Sequence, residues 1–429
     1  MSLFSRLWKP LFSRMWKPLA FPSEGFPLIP ADEKIEEELL PTYVASRYYP
    51  VKIGEIFHGR YQVVGKLGYG VTSTVWLARD FRERRYVALK LYNKSESASI
   101  ALSNELDAYK RIENSSINHP GRRAVRWLLD SFDIDGPSGQ HRCLVHPPLW
   151  DSVYGFRRRN PAGKLPEPLM ALVLKPLFHA LDLLHQDCHI AHTDIQEKNL
   201  LFGADESVLK AFEKEELVKP CPRKEANERT IYVSRELGIP EDFGAPVLCD
   251  FGAAMPLDNG FNHLQKIQPN QYRAPEVILD IPWTSSVDIW NVGCMIWDSF
   301  QGGNLFTGRD PETGTYQSRA HLAEMIALLG PPPPSLLARA NSKSNFFSDA
   351  GKLYATLKTL AFSNMTSEDE FCAGISIPQS RPLEQRESVL KGEDRDCFLR
   401  FMRKMLQWDP EKRSSAKELA EDEWILKHY

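Results

Sequence analysis

No Cys-x-x-Cys pair occurs in these 429 residues, and the seven cysteines, at 143, 188, 221, 249, 294, 372 and 397, are odd in number and scattered. That pattern argues against both a disulfide framework and a zinc site, and for a reducing compartment. No apolar run approaches the roughly 18 residues of a membrane span. Neither sign of charge dominates, with 53 Lys and Arg against 56 Asp and Glu and a net charge of −3. Nothing in that balance favours nucleic acid or a membrane surface as partner. A long Lys/Arg run is also absent, so nucleus and cytoplasm stay equally open. The expectation is a soluble intracellular monomer, with no direct nucleic-acid partner and no membrane partner. What is present suffices for a large core, since 42% of residues are hydrophobic and 25% charged. The length allows two or three units, or one enzyme of two lobes.

The chain opens on a duplicated octamer, Leu-Phe-Ser-Arg-Leu-Trp-Lys-Pro at 3–10 and Leu-Phe-Ser-Arg-Met-Trp-Lys-Pro at 11–18, with no acid before Glu24. This has the composition of an organelle transit peptide. Pro10 and Pro18, however, would break the amphipathic helix such a signal needs, which favours a disordered leader or partner-binding arm. Residues 1–48, with an acidic patch over 32–38, are expected to carry little fixed structure. From 61 to 91 the residues alternate as a strand, a turn and two further strands. Helical spacing follows at 98–112, with Glu105 among its polar positions, and strand signals return at 127–132 and 142–145. Beyond about residue 150, long helical segments dominate, at 166–186, 286–300, 318–329 and 394–407. An α+β protein of two lobes is expected. Two stretches, about 203–246 and 330–380, read as surface excursions. Within the first, 204–218 and 225–237 read as helices.

The chemistry concentrates in His192-Thr193-Asp194-Ile195-Gln196-Glu197-Lys198-Asn199, which runs into the apolar Leu200-Leu201-Phe202. A loop ending against a buried strand can hold a carboxylate to receive a proton and an amide oxygen to bind a metal. Upstream, Gly68-Tyr69-Gly70 lies between two strands, where glycines let backbone N–H groups approach phosphate oxygens. Val87-Ala88-Leu89-Lys90 follows, and Glu105 on the next helix is the natural partner for Lys90. Asp-Phe-Gly occurs twice, at 242–244 and 250–252. The first lies between Ile-Pro-Glu and Ala-Pro, an exposed turn. The second follows Val247-Leu248-Cys249, a buried-strand signature. A metal-binding carboxylate needs a rigid strand to aim it, so Asp250 is chosen and Asp242 set aside. Beyond lie Ala274-Pro275-Glu276, Asp288-Ile289-Trp290-Asn291-Val292-Gly293 and Arg413. A buried Glu276 needs a partner, and Arg413 can supply one. Singly these read as a turn, a core tryptophan and a surface arginine; in this order they do not.

The ordered set resembles a eukaryotic protein kinase, and more closely the family that phosphorylates Ser/Arg-repeat splicing factors. The likeness begins at Tyr49-Pro-Val-Lys-Ile-Gly-Glu-Ile-Phe-His-Gly-Arg-Tyr61 and spans nearly everything after residue 48. It implies an α+β, bilobal protein-kinase-like fold, with a small strand-rich N-lobe at 49–150 and a large helical C-lobe at 151–429. It implies a serine/threonine kinase using ATP and Mg²⁺, with a Ser/Thr protein substrate, Arg/Ser-rich in the family, and a place in mRNA-splicing regulation. Asp194 would accept the substrate hydroxyl proton, with Lys90 and Glu105 as the other catalytic residues. Nucleotide contacts would come from Leu67, Gly68, Gly70, Val75, Ala88, Lys90, Leu149, Asn199 and Asp250, and metal contacts from Asn199 and Asp250. The hinge would be His141–Val145, with His146 as gatekeeper. Pro147 and Pro148 lack N–H groups, so adenine would meet the Pro147 carbonyl and the Leu149 N–H.

The pattern also breaks. Gln196 stands where the family has a lysine, offering dipoles in place of a charge, so a lower rate is expected. Pro269 replaces the threonine that bridges that lysine and the catalytic aspartate, and Glu197 replaces a proline. Thr193 stands where an arginine usually grips an activation-loop phosphate, and residues 253–271 contain no Ser or Thr, so loop phosphorylation should not switch this enzyme on. Ser318-Arg319-Ala320 replaces expected acids in the docking region, weakening the case for a strongly basic substrate; the acidic runs 368–370 and 393–394 read mainly as solvated surface. The alternative to an active kinase is a nucleotide-binding pseudokinase scaffold, on the strength of Gln196 and Pro269. A small-molecule phosphotransferase is disfavoured by the Ala-Pro-Glu, Asp-x-Trp-x-x-Gly and Arg413 set.

Overall fold

The computed structural model describes residues 15–226, 229–258, 260, 262–349 and 369–429. The octamer residues 3–14, the middle of the 330–380 stretch and Glu368 lie outside them. Packing divides the chain into a first unit of Met1–Ser103, Arg126–Trp150 and Phe202–Gly244 and a second of Asn104–Val125, Asp151–Leu201 and Ala245–Tyr429.

The first unit is built on a six-stranded antiparallel sheet. Its strands are β1 (Ile56–Phe57), β2 (Tyr61–Tyr69), β3 (Ser73–Asp80), β4 (Arg85–Tyr92), β5 (Asp130–Gly136) and β6 (Gly139–His146), in the order β1-β2-β3-β4-β6-β5. The helices used below are α1 (Glu96–Asn114), α2 (Val153–Arg159), α3 (Glu167–Asp182), α4 (Glu206–Val218), α5 (Pro275–Ile278), α6 (Ser286–Gln301) and α7 (Ser318–Leu329). Alternation sorts the sheet's faces. Trp76, Ala78, Val87, Leu89, Leu91, Cys143 and Val145 point to one side and form a buried cluster with Tyr61 and Phe132.

Two expectations fail here. Residues 15–48 do not lack structure. Trp16 donates its N–H to Phe81 O at 3.1 Å and sets its indole edge-to-face on Tyr86, with the Arg79 guanidinium 4.6 Å over it. The Gln62 amide clamps Leu19, accepting from its N–H at 2.9 Å and donating to its carbonyl at 2.7 Å. The acidic patch then turns inward: Glu37 binds the buried Lys66, Glu36 accepts from Ser234, and Glu38 holds Lys224 at 2.7 Å.

The insertion after Phe202 likewise belongs to the first unit and is no loose excursion. Asp205 caps α4 by accepting the Val208 N–H, and Val208, Leu209 and Phe212 are buried. A Cβ on Gly65 of β2 would sit 2.7 Å from the Phe212 ring, so only glycine fits there. The segment expected to be a second helix is instead a hairpin, Arg223–Ala226 against Arg229–Tyr232. Its Glu and Ala residues favour helix locally, but Tyr232 joins the sheet's apolar cluster and Lys224 reaches Glu38, and those tertiary contacts decide the conformation.

In the second unit α3 buries Met170, Val173, Leu174, Leu177 and Leu181, a stripe at helical spacing. The chain from Glu167 to Asp187, long and apolar enough to cross a membrane, is a core helix by its burial. The expected helices at 286–300, 318–329 and 394–407 are α6, α7 and Gly392–Met405. Gly330, at φ 78°, ends α7, and the prolines after it cannot continue the helix.

Candidate active site

The His192–Asn199 loop is hung from α6. Asp288, fully buried, accepts the backbone N–H groups of His192 and Thr193 at 2.8 Å each and stands 2.8 Å from His185 Nε2. Thr193 adopts a left-handed backbone, φ 64°, and its hydroxyl donates to Ala253 O at 2.7 Å. The His192 ring accepts the Asp194 N–H on Nδ1 at 3.3 Å, so its proton sits on Nε2, which donates to Cys249 O at 3.1 Å. These bonds fix the backbone that carries Asp194.

Its carboxylate is held at both oxygens. Gln196 Nε2 donates to Oδ1 at 2.8 Å; Asn199 Nδ2 donates to Oδ2 at 2.8 Å and to the Asp194 carbonyl at 2.9 Å. With both amide hydrogens so used, the side-chain oxygen of Asn199 is its atom for a cation. Burial pushes the Asp194 carboxyl above its ordinary value, and the nearby Asp250 carboxylate adds to this, partly offset by the two amide donors. Gln196 therefore keeps a hydrogen bond to the aspartate while bringing no charge, a contact that residue identity alone did not reveal.

Asp250 follows Cys249, whose N–H donates to Asn199 O at 2.8 Å, so the two residues are tied through the backbone. Asp250 itself is left-handed, φ 63°, a costly conformation for a non-glycine residue and one that concentrates at functional sites. Phe251 is buried between the rings of His192 and Tyr109. The other Asp-Phe-Gly differs in its phenylalanine: both aspartates are exposed, but Phe243 is exposed as well, 5.0 Å from the Trp150 ring. The Asp250 carboxylate and the Asn199 amide oxygen suit Mg²⁺, which takes one or two carboxylates and leaves the rest of its shell to water and phosphates. Among the described residues no three His, Cys, Asp or Glu side chains gather as a metal cluster.

In the first unit the strand register sets the other candidates on one face. Val75 pairs with Lys90, Lys90 with Leu144 and Ala88 with His146, so their side chains all lie opposite the apolar cluster. Gly68 pairs with Val75, and the Gly70 N–H closes the turn on Ser73 O at 2.8 Å. Leu67 lies on β2 between these glycines and the buried Lys66. Leu149 opens the short strand Leu149–Ser152 just after Pro147-Pro148. His146 is buried with Nδ1 2.8 Å from Trp127 O, and burial pushes its pKa well down, leaving it neutral. In the second unit Glu105 is buried and accepts from the Tyr109 hydroxyl at 3.4 Å.

The departures have partners of their own. Glu197 is buried in a bidentate pair with Arg157 of α2, at 2.7 and 2.8 Å, and accepts from Ser299 of α6. Beside Pro269, the Gln268 amide donates to Val287 O and Asn291 Oδ1, both at 2.9 Å, and accepts the Ala274 N–H. That side chain ties the segment's end to α6, a role sequence reading did not assign. Glu276 and Arg413 form the expected pair, bidentate at 2.6 and 2.7 Å and fully buried.

The class of protein is shown by its likeness to known proteins, and it is that of the protein kinases. The family model "Protein kinase domain" matches residues 240–425. A serine/threonine protein kinase of Aspergillus fumigatus is 40% identical over 407 residues, 94% of each chain. The serine/threonine-protein kinase SRPK of Physarum polycephalum is 29% identical over 91% of each chain. Protein kinase dsk1 of Schizosaccharomyces pombe is 26% identical over 91% of this chain and 85% of its own. The chain belongs to the protein kinase family. Within it, this is a serine/threonine protein kinase related to the SR-protein kinases, and the inactive-scaffold reading yields to that of an enzyme.

Proposed function

We propose that this kinase transfers the γ-phosphate of ATP to serine and threonine hydroxyls of Arg/Ser-rich proteins, acting in the regulation of mRNA splicing in the cytoplasm or nucleus. The observation that carries the reading is the Asp194 carboxylate, fixed at both oxygens by neutral amides beside Asp250. Asp194 orients the substrate hydroxyl and takes its proton as the serine oxygen bonds to the γ-phosphorus and the bond to the β,γ-bridging oxygen breaks, releasing ADP. Asn199 and Asp250 would hold the metal and Lys90 the phosphates, with Glu105 as the third catalytic residue. Bound Mg²⁺ supplies neutralisation of the phosphate charge. Leu67, Gly68, Gly70, Val75, Ala88 and Leu149 receive the nucleotide. The two units serve as the small and large lobes of the kinase fold.

The test is radiolabel transfer from ATP–Mg²⁺ to an Arg-Ser repeat peptide and to a generic basic protein, with wild type beside Asp194→Ala. Label should reach the repeat peptide and vanish in Asp194→Ala, which should still bind ATP. Equal transfer by the variant would remove Asp194 from its role. Label on the basic protein alone would keep the kinase and drop the substrate class.

A further inference from the structure

From Asn104 onward, α1 packs on the segment that begins at Asp250. Asn104 Nδ2 donates to Gly252 O at 3.1 Å, and the Tyr109 ring meets Phe251 edge-to-face at 5.4 Å. Two turns beyond Asn104, Arg111 gathers three pieces of chain. Its Nε donates to Asp107 on its own helix at 2.9 Å, and its Nη1 donates to Cys188 O at 3.1 Å and to Asp258 Oδ2 at 2.9 Å. Cys188 leads into Ile190–Ala191, which pairs with Met255–Pro256, and Leu257 donates to His189 O at 2.8 Å. Asp258 is the next residue. A single guanidinium thus joins α1, the approach to the Asp194 loop and the segment after Asp250. The electrostatics agree on both sides: hydrogen bonding to Asp258 raises Arg111, and hydrogen bonding to Arg111 lowers Asp258.

The same segment has no hydroxyl to phosphorylate, since residues 253–271 contain no Ser, Thr or Tyr. A fixed anion is nevertheless there. We propose that Asp258 is a built-in anchor of the activation segment, its carboxylate holding Arg111 and, through it, positioning α1 with Glu105 and the strand that leads to Asp194. Asp258 and Arg111 are positioning residues; the inference rests on the kinase reading above. An isolated ion pair this exposed contributes little. Here Arg111 also holds a backbone carbonyl and a second carboxylate, so its planar fork is spread over a network.

The experiment compares kcat, KM for ATP and peptide, and the melting midpoint in wild type, Asp258→Asn, Asp258→Glu, Arg111→Gln and the double Asp258→Asn/Arg111→Gln. Asp258→Asn should lower kcat about fivefold, the upper end of what a partly exposed ion pair can carry. Its melting midpoint should stay at the wild-type value, and Asp258→Glu should keep the wild-type rate. The double variant should be no slower than Arg111→Gln alone, because that variant has already lost the contact Asp258→Asn removes. Salt should slow the wild type more than Asp258→Asn, which lacks the Arg111–Asp258 pair to screen. A wild-type kcat in Asp258→Asn, or losses that add in the double variant, would overturn the proposal. Asp194→Ala runs alongside: activity in that variant would sink the assignment of Asp194, whereas the Asp258 comparison is read on active enzyme.

Discussion

At the scale of single residues, Gln196 separates two tasks that a lysine would perform together. A lysine at this position would hold the aspartate and also supply positive charge to the transferring phosphate. The glutamine amide retains the first through its 2.8 Å bond to Asp194 and cannot supply the second. Restoring the charge with Gln196→Lys should raise kcat by about tenfold while leaving KM for ATP nearly unchanged, because the gain belongs to the transition state. Gln196→Ala should lower kcat below wild type by releasing Asp194. Steady-state kinetics on one peptide checks both, and a Lys variant no faster than wild type would show that charge is not what the site lacks. The missing lysine was legible from spacing, because the motif fixes which residue stands two places after Asp194. The direction of the amide was not, since spacing carries identity and says nothing of rotamer.

Among the elements, those with local causes were readable and those with distant causes were not. Helices α3, α6 and α7 announce themselves by apolar residues at helical spacing, and α7 by the glycine and prolines that stop it. The hairpin Arg223–Tyr232 has no such local cause; Lys224 is fixed by Glu38, 186 positions away in the chain. The leader was misread for the same reason, as its acids find their partners on β2 and in the insertion. This arrangement makes Lys66 the most demanding contact of the first unit, for its side chain is fully buried against Glu36 and Glu37. Glu37→Gln should destabilise the protein by about 2 kcal/mol, less than the ~3–5 kcal/mol of a wholly orphaned buried charge because Glu36 remains. The paired change Lys66→Met/Glu37→Met should cost less than Glu37→Gln alone. Urea unfolding of the three variants checks the order.

Over the whole molecule, the motifs were readable because their order along the chain is that of the family it resembles; which stretches share a unit was not. The long-range tie within the second unit is Glu276–Arg413, spanning 137 positions with both side chains fully buried. Arg413 also stands 5.1 Å over the Trp290 ring and donates to Ser286 O. Arg413→Ala should destabilise the fold by about 3–5 kcal/mol, the cost of stranding a buried carboxylate, measured as a fall in the melting midpoint. The first unit's make-up has a consequence in time. Its sheet is complete in sequence at His146, but Tyr232 and Lys224, which finish its apolar face and tether its leader, are made after the Asp194 loop. At about 5–20 residues per second, the ribosome needs roughly 4 to 17 s to pass from residue 150 to residue 235. Throughout that interval the newborn sheet shows Trp76 to solvent without its cover, a window in which a holding chaperone has something to grip.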